Sequence, residues 1–229
     1  AGRGCPPASA PGLLTLGRAS VAVAGFASLV PAVGAFAAVL AMRRELCIQE
    51  ALELEALGVD VIQFDEPAFN AFMDQVPIWG VKALHRAMEG LKCKTAVHIC
   101  YGYGIKANID WKNSLGEEWR QYEEFFPALN ESRVDQVSLE CASSNVPMSV
   151  LALLPDKEIL VGAIDVATST VETPKQVADT LRRAAEFVDP ERIIACTNCG
   201  MAPLPRDVSE AKLRALGAGA RLFREELGG

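Results

Sequence analysis

Histidine, cysteine and acidic side chains recur in this sequence where short apolar runs end, a placement that suits a metal site. His98 and Cys100 end one such run. Glu140 ends a second run, and Cys199 follows a third. Zinc accepts imidazole, thiolate and carboxylate ligands in a tetrahedral shell, and a set rich in thiolates suits it better than magnesium or calcium. These four residues are therefore candidate ligands of a zinc ion.

The spacing of His98 and Cys100 predicts that both side chains lie on one face of a strand. Residues two apart in a strand project to the same side, so one strand could supply two ligands to one ion. A buried histidine beside a core cysteine is the alternative, since free cysteine is commonly buried. Glu140 favours the metal, because a carboxylate that ends an apolar strand must be paired, coordinated or exposed.

Three further residues at the strand ends have competing interpretations. Cys196 and Cys199 form a Cys-x-x-Cys pair, which indicates either a redox function or Cys196 as a rival ligand. Cys141 follows Glu140 and should face the opposite side of the strand, either in the core or behind the ligand residues. Asp165 ends a fourth apolar run. It is a candidate catalytic residue that orients the substrate, or else a hydrogen-bonding residue at the mouth of the site.

From residue 45 onward, short apolar runs alternate with stretches of helical periodicity. Buried parallel strands read as continuous apolar runs, and the pattern predicts strands at Val59–Phe64, Thr95–Cys100, Val134–Glu140, Ile159–Asp165 and Arg192–Cys196. Apolar residues at helical spacing predict helices at Glu45–Leu57, Trp79–Gly90, Glu117–Phe126, Pro174–Phe187 and Asp207–Leu227. This alternation indicates the α/β class with a parallel sheet.

The strand ends also favour one α/β architecture over another. Each predicted strand ends in chemically active residues, the first of them in Asp65 and Glu66. A (β/α)8 TIM barrel builds its active site from the carboxyl ends of its strands, whereas an open doubly wound sheet places ligands at one switch point. The sequence therefore predicts a TIM-barrel type of fold. About five of the eight βα units are recognisable, so we expect the barrel to be incomplete.

Composition limits the partners and the compartment. A net charge of −7 and a pI near 5.0 leave no basic face to neutralise phosphates, which argues against nucleic acid as a partner. The seven cysteines are an odd number in a chain of 229 residues, a pattern that fits a reducing compartment. We therefore predict a cytoplasmic protein that acts on a small molecule.

Residues 1–44 form an atypical apolar segment that we leave unassigned, and the barrel domain is predicted to cover residues 45–229. The segment contains no Asp, Glu, Asn, Gln, Lys, His or Ile. Its stretch Ala19–Met42 is uncharged and long enough to span a bilayer, but Pro31 and the predominance of alanine over leucine disfavour insertion. We expect no membrane span, and we interpret the segment as a degraded, mistranslated or misassigned N-terminus.

Four motifs together resemble the C-terminal, catalytic barrel of cobalamin-independent methionine synthases, and most closely the short core methionine synthases. They occur in the family's order, and the resemblance covers about residues 46–229. The motifs are Gln63-Phe64-Asp65-Glu66-Pro67-Ala68, His98-Ile99-Cys100, Val137-Ser138-Leu139-Glu140 and Asn198-Cys199-Gly200-Met201. Four separate motifs around one proposed ion are more specific than any single pair of residues.

The resemblance implies a zinc-dependent methyltransferase that moves a methyl group to the thiol of homocysteine and forms methionine. It implies zinc ligands at His98, Cys100, Glu140 and Cys199. It also implies that Asp65 receives the amino group of homocysteine, with Glu66 beside it in the substrate-binding motif. Zinc would hold the substrate sulfur as a thiolate, whereas a free thiol with a pKa of about 8.5 is mostly protonated at neutral pH.

The sequence departs from the family at Ala167, two residues after Asp165. The full-length enzymes have a histidine there, which is associated with protonation of the departing folate nitrogen. The short core forms share this loss, and the resemblance to them leaves open whether the methyl donor is a methylfolate, a methylcobalamin protein or another donor.

Two other functions stay open at this point. One is a zinc- or thiol-binding remnant without turnover, and the other is a methyltransferase for another alkylthiol. An incomplete barrel would have open edge strands and exposed apolar faces, so we expect poor solubility or edge-mediated association.

Overall fold

A computed structural model of the chain describes residues 20–23, 48–66, 68–103 and 106–228. Apart from residues 20–23, the apolar stretch Ala19–Met42 lies outside the described residues. Among the helices that the structure describes, none combines the length and the apolar character needed to cross a membrane.

The described strands form one parallel sheet in which spatial order follows chain order from β1 to β6. The strands are β1 Ser20–Val23, β2 Val61–Asp65, β3 Lys94–Ile99, β4 Gln136–Glu140, β5 Glu158–Gly162 and β6 Ile193–Cys196. A doubly wound sheet would reverse its strand order at a switch point. The uniform order is instead that of a βα barrel wall.

Helices and short helical turns connect the strands. The α-helical segments are α1 at residues 48–56, α2 Ala68–Ala71, α3 Val81–Ala87, α4 Lys106–Ser114, α5 Gln121–Asn130, α6 Pro174–Ala185 and α7 Arg206–Glu226. A π-helical turn at Val76–Gly80 precedes α3, and 3₁₀ turns occupy Met73–Gln75, Met148–Leu153 and Pro190–Arg192.

Local sequence signals define several helix ends. Thr173 begins α6 with a capping box, in which its hydroxyl accepts the N–H of Gln176 and the Gln176 side chain accepts the N–H of Thr173. A reciprocal pair of this kind satisfies two N–H groups that the first turn leaves free. Gly58 follows α1 with a φ of 90°, a conformation that glycine adopts without a Cβ penalty.

The two faces of the sheet differ in chemistry. Phe64, Val97, Val137 and Ile159 are register partners on one face and are buried against the helices. The opposite face carries another register series, Asp65, His98 and Ser138. Because side chains alternate along a strand, an apolar series and a polar series share the same strands. The apolar core and the candidate site therefore lie on opposite faces of the same sheet.

The structure confirms the predicted α/β class, and all five predicted strands are present. The largest difference between a predicted and an observed strand end is in β5, which ends at Gly162 and not at Asp165. Asp165 therefore lies in the following loop. Three strands and helices were not predicted, namely β1, the four-residue helix α2 and α4, and the 3₁₀ turns were not predicted either. The strand β1 lies in the segment left unassigned, where a uniformly apolar sequence gives no contrast that would mark a strand. The helix α4 has weak apolar periodicity, so the pattern did not indicate it.

Candidate metal centre

Two elements place three ligand atoms of the candidate site together. His98 lies near the end of β3, Cys100 follows that strand, and Cys199 lies in the loop after β6. The ligand atoms of these three residues all lie within 4.8 Å of one another. His98 and Cys100 are buried, and Cys199 is half-buried. These are three of the four predicted ligands, and the carboxyl ends of parallel strands bring them together.

A serine on the neighbouring strand orients the imidazole of His98. Ser138 Oγ lies 2.9 Å from His98 Nδ1, and the two residues are register partners between β3 and β4. Nε2 is buried and has no hydrogen-bond partner among the described residues. Metal-binding histidines commonly donate their second ring N–H to a neighbour in this way. The orphaned Nε2 is therefore free to bind a metal ion, and the residues present fit zinc.

The two cysteines of the trio act on each other. Their Sγ atoms are 3.7 Å apart. The hydrogen bond from Cys100, and to a smaller extent the His98 imidazole, lower the pKa of Cys199. The same hydrogen bond and burial raise the pKa of Cys100. Cys199 is therefore the readier thiolate of the two, and a metal cation would favour the thiolate form of both.

Asn198 fixes the loop that carries Cys199. Its side chain is fully buried. Its Oδ1 accepts the backbone N–H groups of Cys141 and Ala142, and its Nδ2 donates to the Ala142 carbonyl at 2.7 Å. Gly162 provides the space, because a Cβ at that position would lie 2.5 Å from Asn198 Oδ1. These contacts satisfy the buried amide and set the direction in which the chain enters Cys199.

Glu140 is close to the trio, but its carboxylate is hydrogen-bonded elsewhere. It is 1% exposed. Its Oε1 accepts the backbone N–H of Tyr101 at 2.8 Å, and its Oε2 accepts the Tyr103 hydroxyl. Lys112 Nζ lies 3.4 Å from the same Oε2. The structure therefore does not bring this predicted ligand into the group formed by His98, Cys100 and Cys199.

Tyr103 links the Glu140 carboxylate to Asn198. Its hydroxyl donates to Glu140 Oε2 and accepts a hydrogen bond of 3.2 Å from Asn198 Nδ2. Burial, and after it the negative charge of Glu140, raise the pKa of Tyr103. Its hydroxyl consequently keeps its proton and remains the donor. Lys112 Nζ lies 3.8 Å from the centroid of the Tyr103 ring, within the range of a cation–π contact.

The predicted substrate-binding residues lie at the end of β2. Asp65 is the register partner of His98, so its side chain faces the candidate site, and its Oδ1 accepts a hydrogen bond from Gln63. Glu66 contributes instead to a small cleft that contains Phe69 and Trp79. Its Oε1 has no partner among the described residues, and burial raises its pKa to about 8. The two adjacent carboxyl groups thus have different environments.

Asp165, the predicted catalytic residue, stabilises its own loop. Its Oδ1 accepts the backbone N–H of Ala167 at 2.8 Å. The fully buried Lys212 of α7 donates to the Asp165 carbonyl and to the Glu172 carboxylate, both at 2.9 Å. Lys212 also contacts the Thr170 carbonyl. The loop after β5 is therefore tied to α7.

The remaining cysteines near the site are not part of the trio. Cys141 is 3% exposed and packs in the core, as its position on the strand predicted. Cys196 Sγ lies 3.9 Å from Ser138 Oγ, and burial raises its pKa to about 12. A thiol with a raised pKa is a weaker ligand and a poorer redox partner than Cys199.

Several residues that organise the site were not identified from the sequence. Ser138 stood within a motif without a role, Tyr103 and Lys112 gave no signal, and Lys212 was overlooked. A buried lysine in α7 could have been suspected, because Lys212 interrupts an otherwise apolar face of the helix. The partners of the other residues depend on strand register and loop paths, which the sequence pattern does not specify.

Fold and site together define a class of protein: an α/β chain of barrel type whose strand ends bring one imidazole and two thiols together. The chain belongs to the family of cobalamin-independent synthase catalytic domains, whose model matches residues 34–221. This match confirms the resemblance to cobalamin-independent methionine synthases. It begins within the segment 1–44 that we left unassigned.

Relatives of known sequence support the same family. The chain is 33% identical over 181 residues to a methionine synthase from Saccharolobus islandicus (strain L.S.2.15 / Lassen #1), covering 78% of this chain and 49% of the relative. It is 32% identical over 178 residues to the methionine synthase of Sulfurisphaera tokodaii, covering 78% and 47%. The chain thus spans about half the length of these relatives.

A solved structure agrees with the fold. A B12-independent methionine synthase from Shewanella sp. W3-18-1, determined in complex with selenomethionine, superposes with a TM-score of 0.77. The two chains are 61% identical, and the match covers 80% of this chain and 54% of that one. The predicted TIM-barrel type of fold is therefore confirmed, with part of the barrel represented in the described residues.

Proposed function

We propose that this chain catalyses zinc-dependent transfer of a methyl group to the thiol of homocysteine, which forms methionine. The observation that carries the proposal is the convergence of His98, Cys100 and Cys199 within 4.8 Å. One imidazole and two thiolates are a ligand set of catalytic zinc sites, in which three protein ligands leave a fourth position for water or substrate. The family membership of the chain supports the same reaction.

His98, Cys100 and Cys199 would hold the ion, with Ser138 fixing the imidazole. When bound, zinc would supply the positive charge that keeps a substrate thiol deprotonated and nucleophilic at neutral pH. The new bond joins the thiolate sulfur to the methyl carbon as the bond between methyl and donor breaks. Glu140 remains a predicted fourth ligand, weak enough for the substrate sulfur to displace.

Asp65 is the residue proposed to receive the amino group of homocysteine. It faces the same side of the sheet as His98 and occupies the matching register position on the next strand. A carboxylate there would form a charge-assisted hydrogen bond with an ammonium group. The Shewanella relative was solved with selenomethionine, a methylated seleno-amino acid whose chemistry matches the proposed product.

The methyl donor is proposed to be a methylfolate or a methylcobalamin protein. A departing folate nitrogen needs a proton, and the chain has Ala167 where the full-length enzymes have a histidine. Asp165, two residues before Ala167, is the proposed catalytic residue. Its Oδ1 is hydrogen-bonded within its loop. We also propose that the protein works in the cytoplasm.

A zinc- or thiol-binding protein without turnover is the second candidate. One observation favours it: the carboxylate of Asp165, the proposed catalytic residue, is hydrogen-bonded within its own loop. A methyltransferase for a different alkylthiol is the third candidate, and it would use the same three ligands.

Methionine formation from homocysteine tests the proposal. The purified, zinc-loaded chain would be supplied with methylfolate in one reaction and with methylcobalamin in another. We expect methionine with at least one donor, and loss of that product in the Cys199→Ala variant. A zinc-loaded chain that forms no methionine with either donor would support binding without turnover, and activity on a different thiol alone would support the third candidate.

A further inference from the structure

The Glu140 carboxylate is buried beside the candidate metal site, yet its oxygens accept hydrogen bonds from residues outside the group of three ligands. Glu140 ends β4, and its Oε1 accepts the N–H of Tyr101, the residue after Cys100. Its carboxylate is therefore a neighbour of one zinc ligand. A buried carboxylate needs partners, and in this arrangement the partners are Tyr101, Tyr103 and Lys112.

The two carboxylate oxygens differ in how firmly they are held. The donor to Oε1 is a backbone N–H of the chain that follows β3, so it is fixed with the strand. The donors to Oε2 are the Tyr103 hydroxyl and the ammonium group of Lys112, both of them side chains. Side chains change rotamer more readily than strand backbone moves. Oε2 is consequently the oxygen that can change partners.

Tyr103 is held in place from both sides. Its hydroxyl accepts from Asn198 Nδ2, and that amide is fixed by Ala142 and Cys141. Lys112 Nζ covers the ring at 3.8 Å. The hydroxyl therefore has a defined position between Glu140 and the residue that precedes Cys199. A tyrosine present only to fill space would not need its hydroxyl at this junction.

We propose that Tyr103 is a positioning residue. Its hydroxyl holds the Glu140 carboxylate away from a metal ion bound by His98, Cys100 and Cys199, so that Glu140 can act as a fourth ligand only when the substrate thiol is absent. This inference rests on the proposed function. While Oε2 is bonded to Tyr103, an ion held by the other three residues would have room for the substrate thiol. When no thiol is present, Oε2 can leave Tyr103 and complete the four-ligand shell that zinc favours.

Loss of a hydrogen bond near a metal site usually speeds metal release. For Tyr103→Phe we expect the opposite effect. Without the hydroxyl, Lys112 at 3.4 Å is the remaining described donor to Oε2, so the carboxylate would stay on a bound metal ion. We expect zinc transfer to a chromogenic chelator to become about tenfold slower, the size of effect expected for one charge-assisted hydrogen bond. We also expect homocysteine to bind the cobalt-substituted protein about tenfold more weakly, because it must displace a permanent ligand.

Cobalt(II) in place of zinc gives a readout that does not depend on activity. A thiolate-to-cobalt charge-transfer band reports Cys100 and Cys199 as ligands, and the visible d–d bands change when homocysteine sulfur joins. A wild-type protein without the charge-transfer band would overturn the metal site, and the proposed function with it. A normal band together with unchanged homocysteine binding in Tyr103→Phe would overturn only the role of Tyr103.

Three variants complete the test. Tyr101→Phe is the matched control, because the lost hydroxyl is bonded to Gln121 and the backbone N–H to Glu140 remains. It should release zinc at the wild-type rate. In a Glu140→Gln background, Tyr103→Phe should have no further effect, since no carboxylate is set free. If Tyr103→Phe fails to fold by circular dichroism, Lys112→Met should give a smaller shift in the same direction.

Zinc release at the wild-type rate or faster in a folded Tyr103→Phe protein would overturn the proposal. An equal effect in the Glu140→Gln background would overturn it too, because the change would then not act through the carboxylate.

Discussion

His98 Nδ1 and Ser138 Oγ lie 2.9 Å apart across the pairing of β3 and β4. This contact occupies Nδ1, and the other ring nitrogen, Nε2, is buried without a hydrogen-bond partner among the described residues. The orientation of the imidazole is thus set by strand register, and a single hydroxyl on the neighbouring strand fixes its tautomer when a metal ion is bound.

Ser138→Ala should weaken zinc binding without unfolding the chain. The imidazole would lose the partner that fixes its orientation, and loss of such a partner typically costs about 10–100-fold in metal affinity. The measurement is competition for zinc with a chelator of known affinity. Ser114→Ala is the matched control, because that hydroxyl is exposed and bonds only the Trp111 carbonyl. Equal zinc affinities in the two variants would show that Ser138 does not orient the ligand.

Lys212→Met should destabilise the chain strongly. The lysine is fully buried, and its ammonium group bonds the Glu172 carboxylate and the Asp165 carbonyl. Removal of one partner of a buried ion pair costs about 3–5 kcal/mol of unfolding free energy. The measurement is urea unfolding followed by circular dichroism. Lys175→Met removes an exposed pair with Asp179, for which we expect a much smaller loss because solvent screens exposed ion pairs.

Glu66→Gln should stabilise the folded chain above neutral pH and leave it unchanged in acid. Burial raises the pKa of Glu66 from 4.5 to about 8. Between those values the unfolded chain releases a proton that the folded chain keeps, so the wild type loses stability as the pH rises from 4.5 toward 8. Glutamine does not titrate and avoids this loss. Denaturant unfolding at pH 4.5 and pH 8 gives the comparison, and a stabilisation equal at both values would argue against a protonated Glu66.

Much of the fold could be predicted from sequence, because the relevant signals are local. Buried parallel strands such as Val137–Leu139 are continuous apolar runs, and Thr173 with Gln176 marks a helix start. The strand β1 was not predicted, because the residues before and after it in the sequence are equally apolar. Its place in the sheet depends on pairing with β2, which is a property of the tertiary structure.

The candidate site was predictable to the extent that strand ends converge. His98, Cys100 and Cys199 meet because parallel strands bring their carboxyl ends to one edge. The partners of Glu140 were not predictable, since Tyr103 lies in the loop after β3 and its hydroxyl reaches Glu140 only once that loop folds back. Residue types in the sequence therefore predicted which residues carry the chemistry, and the structure shows which neighbours hold those side chains in place.

Zinc content per chain tests the central claim most directly. The wild type, Cys100→Ala, Cys199→Ala and Cys141→Ala proteins would be purified under reducing conditions, and zinc and protein would be quantified by elemental analysis. Cys141→Ala is the control, because Cys141 is a buried thiol in the core. We predict about one zinc ion per chain in the wild type and the control, and nearly none in the two ligand variants. A full zinc complement in both Cys100→Ala and Cys199→Ala would contradict the account.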